Sequence, residues 1–172
     1  MKIDGMRIEA LIAALAGAAL AAGTAAAAPG PVRRAGLWES HIVGGPMGAA
    51  DMTLRTCADP AKEQADVTFG SGRRPAGCAA GPILKPLPGG GWAYHMVCRP
   101  SAGMTLDVTG TASGDFQSGY TVKTVTRMTP APMPQLAESR MTITSRWLGP
   151  CPAGMKPGDS TMNGRALPGA RR

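Results

Sequence analysis

Bulky aromatic side chains are scarce in this 172-residue chain, which contains three Trp, two Tyr and two Phe. Glycine and proline are abundant by comparison, with 24 and 16 residues. Such a chain turns often and has few large side chains with which to fill an extended core. The length therefore suits one domain with a modest core.

Catalytic and metal-binding signatures are also missing from the sequence. The chain has two histidines, His41 and His95, and no Gly-x-Ser-x-Gly elbow, His-Glu-x-x-His helix or Gly-rich loop opening a helix. No basic stripe interleaved with aromatics and no finger spacing is present, so nucleic acid is not an expected partner. The sequence indicates neither an enzyme nor a cofactor. A hydrolase with a Ser-His-Asp triad assembled across strands is the catalytic alternative.

The N-terminus has the order of an export signal. Lys2 and Arg7 precede an apolar run over residues 10–20, and small residues follow as far as Ala28. We expect cleavage after residue 27, which leaves a periplasmic or secreted protein. A retained anchor over residues 10–28 is the alternative, although most of these residues are Ala or Gly rather than strongly apolar. No other run is long and apolar enough to span a membrane.

The chain is basic, with a formal net charge of +7. The predicted signal carries equal numbers of basic and acidic residues, so its removal leaves that charge unchanged. An excess of this size favours contact with an envelope polyanion or an anionic membrane surface. A merely solvated basic surface is the alternative.

The four cysteines predict two disulfides. Cys57, Cys78, Cys98 and Cys151 contain no CxxC pair, so neither a thioredoxin-like redox motif nor a paired zinc knuckle is indicated. Four cysteines allow three connectivities. We favour Cys78–Cys98, which joins a loop to the neighbouring strand, and Cys57–Cys151, which joins an early strand to the last one.

Period-2 alternation of β-branched and aromatic residues predicts an all-β fold. We expect a single antiparallel meander of about six strands, forming a half-open barrel or a curved sheet, with one short helix near residues 60–65. The predicted strands cover residues 37–43, 52–57, 92–98, 104–109, 116–128 and 138–148, with a short extended piece at 83–84. We place the folded domain at residues 28–152 and a disordered basic tail at 153–172.

Several short motifs occur in an order that resembles a known family. They are Gly36-Leu37-Trp38-Glu39, Gly77-Cys78 before a Trp-containing strand, Gly114 to Gly119, and Leu148-Gly149-Pro150-Cys151. Together they resemble the exported Gram-negative bacterial family catalogued as domain of unknown function 3617, over roughly residues 31–152. The resemblance implies export, a β-rich fold and paired cysteines. It implies no catalytic residues, because the family has no established activity.

Two kinds of binding site follow from the remaining side chains. Trp38, Trp92 and Trp147 lie on three predicted strands and are candidates both for the core and for the lining of an apolar ligand site. The alternative is a Cu(I) or other metal site made of His41, Met47 and Met52 around the first hairpin, since thioether sulfur is a soft ligand. Methionine as core filler is the simpler interpretation of the same residues. We expect a non-enzymatic domain that binds an envelope component or an apolar ligand.

Overall fold

A computed structural model of the chain describes residues 30–45, 51–61, 77–78 and 82–167. These ranges contain nine strands and one short 3-10 helix, Pro134–Leu136. The strands are β1 Gly36–Gly44, β2 Met52–Ala58, β3 Ile83–Pro86, β4 Trp92–Cys98, β5 Thr105–Gly114, β6 Gly119–Thr129, β7 Glu138–Gly149, β8 Ser160–Met162 and β9 Arg165–Ala166.

All nine strands form one antiparallel sheet that does not close on itself. Their order is β3-β4-β5-β6-β7-β1-β2-β8-β9. Strands β3 to β7 follow one another as a meander, the β1–β2 hairpin attaches to β7, and β8 returns to pair with β2. The predicted all-β class and single antiparallel sheet are confirmed. The number of strands is higher than the six expected.

Strands β1, β4, β6 and β7 alternate between two environments over much of their length, as the period of 2 requires. In β7, Ile143 and Ser145 are buried, whereas Thr144 and Arg146 are exposed. We call the side of the sheet that carries Ile143 the inner face, and the opposite side the outer face. The buried side chains of the main core are Trp38, Ala58, Tyr94, Ala112, Phe116, Tyr120, Val122 and Ile143.

The segment after residue 152 differs from its prediction as a disordered tail. Residues 160–166 form the β8–β9 hairpin, and β8 pairs with β2 over three residues. Asn163 and Gly164 form the turn with φ of 48° and 79°, the left-handed values that a two-residue hairpin turn needs. Strands this short show no recognisable alternation, but an Asn-Gly pair is a strong hairpin signal that the prediction did not use. Residues 168–172 lie outside the described ranges.

The two disulfides join Cys57 to Cys151 and Cys78 to Cys98. This is the connectivity that the strand ends favour in the sequence. All four cysteines in the described part of the chain are therefore paired.

The predicted helix near residues 60–65 falls mostly outside the described ranges. Just before this segment, the Asp59 carboxylate accepts a hydrogen bond from the Ala61 N–H at 3.1 Å. The predicted signal over residues 1–27 also lies outside those ranges. Among the residues that the structure does describe, no helix has the length and apolar character needed to cross a membrane.

Candidate functional site

The inner face carries a continuous apolar row that runs across six neighbouring strands. Cross-strand pairing connects one residue from each of β2, β1, β7, β6, β5 and β4, and directly paired residues share a face. The row consists of Met52, Ile42, Ile143, Val122, Ala112 and Trp92. Its centre is buried and its two ends are half-buried. We call this feature the apolar row.

Beside the apolar row, Tyr94 lies across a neighbouring strand. Its ring crosses Gly110 of β5, and its hydroxyl forms a hydrogen bond with the Thr124 hydroxyl of β6. A Cβ built on Gly110 would collide with the Tyr94 ring, so this crossing requires glycine at that position. Burial raises the pKa of the Tyr94 hydroxyl, which keeps it neutral and able to donate or accept.

A pair of serine hydroxyls lies on the other side of the apolar row. Ser40 of β1 and Ser145 of β7 face each other, and their hydroxyl oxygens are 2.8 Å apart. Both side chains are buried, and each hydroxyl provides the hydrogen-bond partner that the other lacks away from water. The inner face is thus apolar with isolated, internally paired hydroxyl groups.

A short N-terminal segment, residues 30–35, crosses the inner face before β1 begins; we call it the strap. A Cβ built on Gly30 would meet the Leu84 side chain of β3. At the other end, the Arg34 N–H donates to the carbonyl of Phe116 at 2.9 Å. The buried Arg33 side chain lies over the Trp38 ring and donates to the Tyr120 hydroxyl. The strap therefore covers part of the core formed by one end of β1 and β6.

Both tryptophans near the strap use their indole N–H groups to hold it. Trp38 Nε1 donates to the Arg34 carbonyl at 2.8 Å, and Trp147 Nε1 donates to the Ala35 carbonyl at 3.0 Å. The Arg34 guanidinium lies 3.8 Å from the centre of the Trp147 ring, within the range of a cation–π contact.

The three predicted tryptophans thus have different roles. Trp38 has no exposed surface and is a core residue, so it cannot contact a ligand in this conformation. Trp92 and Trp147 are half-buried and pack against the core from its margins. Trp92 lies at one end of the apolar row, whereas Trp147 lies under the strap. Of the three candidates, Trp92 is the one that is both a member of the apolar row and partly exposed.

The outer face is polar and is organised by ion pairs between strands. Glu39 of β1 binds Arg146 of β7 at 2.6 Å and Arg55 of β2 at 2.8 Å. Hydrogen bonds from Arg146, and then from Arg55, hold the pKa of the Glu39 carboxyl below its usual range. The Glu39 side chain is 13% exposed, so these pairs are better shielded from water than ordinary surface pairs.

Both histidines lie on the outer face and are paired with aspartates. His41 Nε2 is 2.7 Å from Asp51, and His95 Nε2 is 3.0 Å from Asp107. The buried serine pair lies on the inner face and is therefore separated from both histidines by the sheet.

The residues of the predicted metal site do not converge where they are described. His41 pairs with Thr53 on the outer face, whereas Met52 pairs with Ile42 on the inner face. Met47, the third member, lies outside the described residues. Within the described ranges no group of three His, Cys, Asp or Glu residues is placed to hold a metal ion.

The fold and these contacts define a disulfide-linked, single-sheet β domain with one apolar and one ion-paired face. A family model described as a protein of unknown function (DUF3617) matches residues 33–151. The chain belongs to this family. The match begins within the strap and ends at the cysteine that closes the larger disulfide. No curated protein and no solved structure matches the chain.

Proposed function

We propose that this domain is a non-enzymatic binder of an apolar ligand from the cell envelope and that it acts outside the cytoplasm. The apolar row carries the proposal. It extends over six strands; its centre is buried, whereas Met52 and Ile42 at one end and Trp92 at the other are half-buried. A ligand would therefore reach the row from these half-buried ends, as in an apolar cleft with a few accessible lining residues.

Three further observations support the same function. The polar groups on the inner face, such as the Ser40–Ser145 pair, bind one another. This arrangement leaves the row chemically suited to a hydrocarbon chain rather than to a polar substrate. The two disulfides are compatible with an extracellular protein, since such bonds persist in oxidising compartments. The net charge of +7 would favour an anionic envelope component.

The test is native mass spectrometry of the protein recovered from a periplasmic fraction, followed by titration with a hydrophobic fluorescent probe. We expect a co-purifying apolar ligand and saturable probe binding. Replacing Trp92 with Ala removes one end of the apolar row and should weaken probe binding about tenfold, the loss of one good apolar contact.

Val97→Ala is the matched control, because Val97 lies on the same strand but on the outer face and is 37% exposed. It should leave probe binding unchanged. A bare protein mass together with no saturable probe binding would refute the proposal. Equal losses in both variants would place the ligand elsewhere.

The metal alternative stays a prediction. No contact among the described residues favours it over the apolar ligand, since His41 and Met52 lie on opposite faces of their hairpin.

A further inference from the structure

The turn of the β8–β9 hairpin contains the only asparagine of the whole chain, Asn163, followed directly by Gly164. Both residues are exposed. A Cβ built on Gly164 would meet no atom within 4 Å, and glycine has no side chain of its own to shield its amide nitrogen. An Asn side chain next to an unhindered glycine amide is the arrangement in which an asparagine can react with its own backbone.

Asn163 also holds the hairpin against the sheet. Its Oδ1 accepts a hydrogen bond from the Thr53 N–H at 2.9 Å, and its own N–H donates to the Thr53 carbonyl at 2.8 Å. β8 pairs with β2 over three residues and β9 with β8 over two, and backbone hydrogen bonds between Cys57 and residues 158–159 and from the Leu167 N–H to the Ser160 carbonyl extend this pairing. A short hairpin at the edge of a sheet still opens at a lower cost than global unfolding.

We propose that Asn163 is a site of spontaneous deamidation and that the reaction releases the β8–β9 hairpin from β2. When the hairpin opens, the Gly164 amide nitrogen attacks Cγ of Asn163. A new C–N bond forms, the bond from Cγ to Nδ2 breaks, and ammonia leaves with the proton that Gly164 gives up. The product is a five-membered succinimide, and no oxidant or reductant is consumed.

Water then hydrolyses the succinimide at either of its two carbonyl groups. One product is aspartate, and the other is isoaspartate, in which the main chain continues through the side-chain carboxyl and gains a methylene group. This insertion changes the spacing within the two-residue turn. The paired hydrogen bonds to Thr53 then lose their geometry, and the edge of β2 is left open.

The test is incubation of the folded protein at mildly alkaline pH, followed over time by isoelectric focusing and peptide mass mapping. We expect a growing fraction of the protein to carry one added negative charge, and peptide mapping should locate this change at residue 163. The same protein unfolded in urea should convert faster. An Asn163→Gln variant should show no charge step, because the corresponding six-membered ring closes slowly.

Limited trypsin digestion after Arg165 provides a second readout that follows hairpin release. The isoaspartate fraction should be cut about tenfold faster than unreacted protein, because the lengthened turn disturbs the pairing of β9 with β8 and the hairpin no longer lies against β2. Two results would overturn the proposal. One is intact Asn163 in the folded protein after the urea sample has converted fully, and the other is equal trypsin cleavage of the two fractions.

Discussion

At some positions on the inner face, a side chain that reaches across from another strand restricts which amino acid can be accommodated. Gly110 is the clearest case, because the Tyr94 ring occupies the space where its Cβ would stand. The alternation of apolar and polar residues around β5 predicts which face Gly110 lies on, but it contains no sign of this crossing. The partner, Tyr94, comes from a different strand, so only the folded sheet brings the two residues together.

Replacing Gly110 with Ala should therefore destabilise the domain. The added methyl group would collide with the Lys123 carbonyl of β6 and with the Tyr94 ring, and moving that ring would strain its hydrogen bond to Thr124. We expect the free energy of unfolding to fall by about 1–3 kcal/mol, the usual cost of overpacking. Urea denaturation measures this change.

Thr111→Ala is the control for that variant, since Thr111 is the next residue along β5 and is exposed on the outer face. Its effect should stay within about 0.5 kcal/mol. A Gly110→Ala variant as stable as this control would show that the Tyr94 ring has space to move.

At the scale of elements, the turn between β5 and β6 depends on one carboxylate. Asp115 accepts hydrogen bonds from the backbone N–H groups of Gln117, Ser118 and Gly119, and from the Ser118 hydroxyl. These bonds close the turn, so β6 begins at Gly119 and not at residue 116 as the sequence pattern predicts. Phe116 takes a positive φ of 57° and is buried in the core.

The same hydrogen bonds predict a pH dependence. The Ser118 hydroxyl, followed by the three backbone N–H groups, holds the pKa of the Asp115 carboxyl well below its usual range. As pH falls, the unfolded chain therefore takes up a proton at this residue before the folded protein does. The contribution of Asp115 to stability is fully present above the unfolded pKa of about 4 and is lost as pH falls through the folded pKa.

Urea denaturation over a series of pH values tests this dependence. Asp115→Asn should be less stable than the wild type at neutral pH, and the difference should shrink in acid. Asp107→Asn is a useful comparison, since Asp107 is an exposed partner of His95 on the outer face. If the difference between wild type and Asp115→Asn did not change with pH, the turn would not depend on the charged carboxylate.

At the scale of the whole molecule, the two disulfides close loops of different length. Cys57–Cys151 spans 94 positions and joins the end of β2 to the residues after β7, whereas Cys78–Cys98 spans 20. Cys57 and Cys98 are equally buried, at 1% exposure each, so the two bonds differ mainly in the chain that they close. Among the described strands, the outermost are β3 and β9. Both are short and carry Pro86 and Arg165, respectively, features that discourage pairing with another chain.

Removing the disulfides one at a time should show the effect of loop length. Replacing both Cys57 and Cys151 with Ser should lower the free energy of unfolding by about 4–5 kcal/mol, and the same change at Cys78 and Cys98 by about 3 kcal/mol. Chemical denaturation of both double variants measures the two losses. A larger loss for the shorter loop would mean that local packing outweighs loop closure.

The amino-acid sequence predicts the all-β class, the approximate positions of six strands and a short extended piece at 83–84, and the favoured cysteine pairing. Period-2 alternation and turn residues are local signals, so these features could be inferred without knowing which strands are neighbours. The short β8–β9 hairpin was missed because strands of two or three residues carry no alternation.

Which side chains meet depends on the long-range pairing of the strands. Trp38 is fully buried and holds the strap through a hydrogen bond, and His41 lies on the opposite face of the sheet from Met52. The apolar row requires the order of six strands, which depends on β7 pairing with β1 across about a hundred residues. Long-range register of this kind is set by the burial of one whole face at once, and no local pattern contains it.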